Sequence, residues 1–224
     1  MSGKISFKTQ NMPLIILFLA WGITLYILFI TGIRDFWSDL ILLFDKVNAK
    51  DGFLAAIAPL ISFILLHFID SDKKAVLVFW KIKNPLPGNR AFSEIGPKDP
   101  RVDMNVLKDK MNNIPTDPVE QNKIWYRLYK QVEGTVTVDS SHKNFLLARD
   151  LASISFLFLI FTTWPILIIK NDFRIALVYG LIWFLQYLVL CKVAQNNGER
   201  FVSNVLAEYC CKEPQKEEVK SSNG

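Results

Sequence analysis

Four stretches of the chain carry no charged side chain: residues 9–33, 52–69, 151–169 and 175–191, which are 25, 18, 19 and 17 residues long. A helix rises about 1.5 Å per residue, so about 20 apolar residues cross the roughly 30 Å of hydrocarbon in a bilayer. The pattern predicts an all-α membrane protein, with four transmembrane helices and a small, mainly helical cytoplasmic domain inserted between the second and third. The expected boundaries are an N-terminal segment over 1–11, spans at 12–33, 53–70, 149–170 and 175–194, and an outer loop at 34–52. The insert takes 71–148, a tight outer hairpin 171–174, a helical extension of the last span 195–211, and a disordered tail 212–224.

Polar positions refine this plan. In the outer loop Phe36, Trp37, Leu40, Ile41 and Phe44 share one helical face, which predicts a short amphipathic helix on the membrane surface. Beyond the second run, Ala75 to Trp80 is apolar between Lys74 and Lys81, so the helix is expected to continue inward as far as an interfacial anchor at Phe79 and Trp80. Asn84, Pro85, Pro87 and Gly88 then forbid regular helix and predict a rigid turn that presents Arg90 and Phe92. Asp99 before Pro100 is a helix-start signal, with Val102, Val106, Leu107 and Met111 behind it. Asp117, Pro118 and Glu120 form a second start with capping-box spacing. From there Gln121, Trp125, Leu128, Tyr129 and Val132 recur at helical spacing opposite Lys123, Arg127 and Lys130. Such an aromatic seam packs on a neighbouring helix or a second subunit. Gly134 interrupts, residues 135–138 are β-prone, and Ser140 or Ser141 is expected to cap the helix that runs into the third span.

Composition agrees with lipid as the solvent: 51% of the 224 residues are hydrophobic, with 17 Phe and 6 Trp. Charge then orients the chain, because Lys and Arg near span ends favour the cytoplasm. Residues 71–149 hold 14 Lys and Arg against 9 Asp and Glu, whereas residues 32–53 hold Arg34, Lys46 and Lys50 against four Asp. The insert and both termini are therefore expected inside a bacterial inner membrane. Its surplus of cations is what anionic inner-leaflet lipids attract, and needs no direct nucleic-acid contact. Cys191, Cys210 and Cys211 cluster at the inner end of the last span, where a reducing compartment leaves them unpaired.

Catalytic chemistry is not indicated. The two histidines, His67 and His142, lie in different surroundings, Asp99, Asp103 and Asp109 read as a solvated face, and no metal spacing, phosphate-binding glycine loop or nucleophile elbow occurs. The expectation is no catalytic residue, no cofactor and no metal. His67 and Gln186 are the candidate polar or pore residues within the spans, and almost no ionisable group supports coupled transport. The residues at 84–92, then Asp99, Pro100, Arg101 and Asp103, then Pro118, Glu120, Gln121, Asn122, Trp125 and Tyr126 resemble those of uncharacterised bacterial four-span membrane proteins. The architecture is also similar to that of membrane subunits and effectors of anti-phage systems such as Kiwa, a likeness that carries no residue roles. It implies a non-enzymatic, oligomeric inner-membrane sensor, anchor or membrane-perturbing effector with a cytoplasmic protein partner, as in antiviral defence. The alternatives are an oligomeric channel and, third, a membrane-bound lipid-processing enzyme. Interaction is assigned to Asn84, Pro85, Pro87, Gly88, Arg90, Phe92, Glu120, Gln121, Trp125, Tyr126 and Tyr129.

Orientation is directly checkable. In a chain whose three cysteines are replaced by Ser, a cysteine introduced within 34–52 should react with an impermeant maleimide added to intact cells. One at Tyr126 should react only after lysis.

Overall fold

Residues 7–31 are mostly apolar, with Lys8, Gln10, Asn11 and Pro13 confined to the first two turns, and no backbone donor in so apolar a segment can be left unpaired, so the run closes as a single helix. The computed structural model describes residues 6–31, 61, 64, 68–111 and 113–212. The six α-helices among them are α1 (Phe7–Thr31), α2 (Ser71–Phe79), α3 (Met104–Met111), α4 (Pro118–Val132), α5 (Val136–Lys170) and α6 (Phe173–Cys211). The expected outer-loop helix at 34–52, most of the second apolar run, His67 and the tail from 213 lie outside the described residues.

Three of these helices, α1, α5 and α6, are long and apolar enough to cross a membrane. Only 28%, 44% and 33% of their most apolar stretches are buried within the chain, so most of that surface needs a lipid neighbour. A two-residue connection joins α5 to α6, shorter than the expected 171–174: Asn171 adopts a left-handed φ of 48°, and the Asp172 carboxylate accepts from Arg174 N at 2.8 Å to start α6. Both α5 and α6 run well past their apolar cores, and α6 takes in the residues 195–211 that were expected as a helical extension.

The chain divides into two compact units. The first comprises Met1–Leu86 with Ser140–Gly198, the second Pro87–Asp139 with Glu199–Gly224. In the first unit the core is aromatic. Phe158 of α5 stacks on Trp183 of α6 with ring centroids 4.7 Å apart, and Phe18 of α1 meets the same indole edge-on at 6.2 Å. Tyr179 is fully buried, 5.0 Å from Phe29, and its hydroxyl lies 2.6 Å from Thr162 Oγ1. Thr24, Ser153, Ser155 and Thr162 return their hydroxyls to the carbonyl four residues back, as polar side chains in apolar helices do.

At α2 the structure departs from the sequence expectation of a helix carried through from the second apolar run. Asp70 is extended, with φ −61° and ψ 157°, and a new helix starts at Ser71. Trp80 ends it in the left-handed region at φ 53°. The carbonyls freed at that end are taken by α6: Tyr187 donates to Leu77 O at 2.6 Å and Gln195 Nε2 to Val78 O at 2.8 Å. Trp80 Nε1 in turn donates to Tyr187 Oη at 3.2 Å.

Gly22 is where α1 admits the stacked pair. A Cβ at that position would lie 2.8 Å from Phe158 Cε1 and 3.1 Å from Trp183 Cη2. Gly22→Val should therefore force the pair apart and destabilise the bundle by about 1–3 kcal/mol, read by SDS titration in mixed micelles.

Candidate functional site

The second unit holds most of the sequence-selected residues. Its first device is the turn at 87–95, which follows Asn84 near the end of the first unit's first segment. Asn84 takes a left-handed φ of 52°, residues Pro87–Arg90 form a 3₁₀ turn, and Ala91–Ile95 widen into a single π-helical turn. Of the two residues the turn was expected to present, Phe92 is turned inward at 3% exposure and Arg90 pairs with Glu94 at 3.4 Å; Pro87 and Gly88 are buried as well. Gly88 permits the close approach, since a Cβ there would collide with the Asn122 side chain and lie 2.8 Å from Trp125 Cε3.

Gln121 holds this turn. It is 1% exposed, and its Oε1 accepts from Phe92 N at 3.1 Å, Ser93 N at 3.2 Å and Ser93 Oγ at 3.2 Å, while Nε2 donates to Thr116 O at 3.1 Å. A π turn leaves backbone donors that an α-helix would use, and one amide side chain collects two of them. Asn89 Nδ2 adds a bond to Pro118 O at 3.0 Å. The sequence marked Gln121 as part of a seam, but nothing in its spacing signalled this polar role.

The helix starts differ in outcome. Asp117 caps α4 as expected, its Oδ2 accepting from Glu120 N at 3.0 Å with Pro118 at the first helical position. The Glu120 carboxylate lies 3.4 Å from Lys123 Nζ. The expected start at Asp99 and Pro100 is corrected: α3 begins at Met104, and its cap is Asp103, whose Oδ1 accepts from Asn105 N at 2.8 Å. Asp99 is unavailable because Arg101 binds it through Nε at 3.0 Å and Nη2 at 2.7 Å, with Arg101 N also donating at 3.0 Å. Those bonds hold the Asp99 carboxyl down at about 2. The β-prone 135–138 is also corrected, since α5 already begins at Val136. Thr135 O accepts from Asp139 N at 2.9 Å and Asp139 Oδ1 accepts from Gly134 N at 3.0 Å, so this acid supports the helix start ahead of the serines.

The aromatic seam is satisfied within the chain. Trp125 and Tyr129 are buried, and Phe201 meets their rings edge-on at 5.1 and 5.4 Å. Burial and a 2.9 Å bond to Glu133 push the Tyr129 phenol well above its ordinary range. Two lysines close helix ends: Lys110 Nζ donates to the carbonyls of Tyr209, Cys210 and Lys212 at 3.1, 3.0 and 2.6 Å, and Lys212 Nζ to Gln131 O at 2.8 Å. A cation at a helix C-terminus satisfies orphan carbonyls and complements the dipole. Cys210 directs its thiol at Asp103 O, 3.7 Å away, and burial raises its pKa, whereas Cys211 is exposed.

What stays outside is one stripe of α4. Val119 and Tyr126 are 60% and 52% exposed, and with Lys123 and Lys130 they recur at spacings of four, three and four along the same face. Lys130 Nζ lies 5.6 Å from the Tyr126 ring centre. Asn84 is exposed and Pro85 half-buried, both in the first unit, and Gln186 is half-buried on α6. No group of three or more potential metal ligands occurs among the described residues. The fold thus places the chain among helical proteins with membrane-spanning segments. Comparison with protein families, curated proteins and solved structures finds no match.

Replacing Gln121 with Leu leaves the Phe92 and Ser93 amides without their acceptor. It should cost about 2–4 kcal/mol and open residues 87–116 to limited proteolysis. Asp99 supplies a pH signature. Its folded pKa lies below the ordinary 3.8, so its stabilising contribution is present above the ordinary value and is lost as pH falls toward about 2. Asp99→Asn should lower the thermal midpoint at pH 7, and the gap from wild type should shrink progressively below pH 4.

Proposed function

We propose that the chain is an oligomeric four-span protein of the bacterial inner membrane, with both termini in the cytoplasm, acting without catalysis as a sensor, anchor or membrane-perturbing effector. Residues 53–70 supply the fourth span in this reading. The small helical unit recruits a cytoplasmic protein through the α4 stripe, and such a device suits anti-phage defence. The supporting observation is the exposed line of Val119, Lys123, Tyr126 and Lys130 on a helix whose opposite face is already filled by its own chain. An amphipathic tyrosine bracketed by lysines matches an acidic protein surface carrying an apolar notch, and tyrosine is a residue that anchors interfaces. The buried seam at Trp125 and Tyr129 positions that stripe and is not available to a partner.

Two variants separate recognition from folding. Tyr126→Ala combined with Val119→Lys should change stability by less than about 0.5 kcal/mol yet remove the protein adduct formed in cells by a photocrosslinker at Lys123. Trp125→Ala should instead cost about 3–5 kcal/mol by opening a cavity in the seam. Crosslinks to lipid alone, or an adduct that survives the double variant, would sink the recruitment reading.

A further inference from the structure

In the first unit, Lys74 and Arg149 share one carboxylate, and Lys8 adds a third cation close to Lys74. The side chains of Lys74, Arg149 and Asp150 are 8%, 10% and 8% exposed. Lys74 Nζ reaches Asp150 Oδ1 at 3.2 Å, and Arg149 reaches the same oxygen through Nε at 3.4 Å and Nη2 at 3.3 Å. A well-made guanidinium–carboxylate pair uses both oxygens at about 2.7–2.9 Å, so Arg149 is only loosely held by Asp150. Its guanidinium also lies 5.8 Å from the Phe145 ring centre. Lys8 of α1 is close enough for its charge, with that of Arg149, to bear on Lys74, whose pKa is lowered chiefly by burial. Local bonds fix α1 there: Asn11 Nδ2 donates to Lys143 O at 2.9 Å, and the Phe7 ring meets His142 edge-on at 5.2 Å.

Two buried cations against one buried carboxylate leave a surplus charge, which a low-dielectric setting penalises by several kcal/mol, and the exposed Lys8 adds to it from the rim. The sequence says where that surplus lies. Lys8 borders the first apolar run, Lys74 closely follows the second, and Arg149 and Asp150 border the third. If those runs cross the bilayer as proposed above, all three cations stand at the same headgroup level. Exposed Trp80 and Ile82, beside Lys81 and Lys83, have the composition of an interfacial anchor next to them.

We propose that Lys8, Lys74 and Arg149 form a phosphate-recognition site that takes the headgroup of an anionic phospholipid. Asp150 is the positioning residue that keeps Lys74 and Arg149 side by side. The phosphate supplies the missing negative charge and receives the guanidinium donors that Asp150 leaves over, while the acyl chains lie along the lipid-facing helix surfaces. Free inorganic phosphate offers the same chemistry without the chains.

Native mass spectrometry of the full chain in detergent, with phosphatidylglycerol or phosphatidylcholine added in steps, tests the assignment. Wild type should retain phosphatidylglycerol at least about tenfold better than phosphatidylcholine. Arg149→Gln should abolish the preference. Because that variant disturbs a buried pair, Lys8→Gln is the companion: its side chain is exposed, its thermal midpoint should not move, and its preference should fall about threefold to tenfold. Asp150→Asn keeps an amide oxygen to hold both cations and removes the competing negative charge, so it should keep or strengthen lipid retention, whereas a purely structural ion pair would lose stability without any lipid effect. Displacement of the lipid by millimolar inorganic phosphate would overturn the lipid source in favour of the free anion, and resistance to it supports the headgroup. Equal retention of both lipids, or wild-type retention in both Lys8→Gln and Arg149→Gln, overturns the site. Micelles have no sidedness, so a wrong topology would appear in the maleimide labelling and leave this result untouched.

Discussion

Lipid offers a helix no hydrophobic reason to leave it, so the spanning helices depend on close fit, and the stacked Phe158 and Trp183 rings supply it. One ring comes from α5 and the other from α6, and α1 reaches both because Gly22 withholds a side chain where they lie. Tyr179 extends the same seam one turn away, and its bond with Thr162 removes a polar cost that a buried phenol would otherwise carry. Everything else in the first unit follows from this fit. The helices must lie close together before Tyr187 and Gln195 can find the end of α2, or Lys74 the acid on α5.

The second unit is governed by a different economy. Its helices pack through the Trp125, Tyr129 and Phe201 seam, and polar side chains join their ends. Gln121 joins α4 to the turn before α3, Lys110 joins α3 to the end of α6, and Lys212 joins the end of α6 to α4. These bonds connect all three helical pieces to one another. A small assembly held this way resists translation of any single helix, because each shift breaks a charged or amide bond at an end.

The sequence made the spanning helices legible because a long charge-free run has one dominant physical outcome in each solvent. Lys123, Arg127 and Lys130 were readable as an outer face for the same reason of period. Local starts were read less well, since they depend on competition between neighbours. Asp99 and Asp103 carry the same chemistry, and the choice of cap went to Asp103 because Arg101 occupies the other carboxylate. Residues 135–138 have strand-forming side chains, yet Asp139 and the glycine at φ 101° make a helix start cheaper there. The roles of Gln121 and Lys110 were invisible, because partners lying 28 and 100 positions away leave no local periodicity.

Lys110 also makes neighbours unlike. Its ammonium group fastens the end of α6, so Cys210 and Cys211 sit on an ordered turn and point to different surroundings. The first thiol rests against a backbone oxygen with its pKa raised, and the second is exposed. Two adjacent cysteines thus acquire separate reactivities from their geometry. A spectroscopic label offered to the native chain would settle on Cys211, giving a reporter at the end of α6 without mutating its twin.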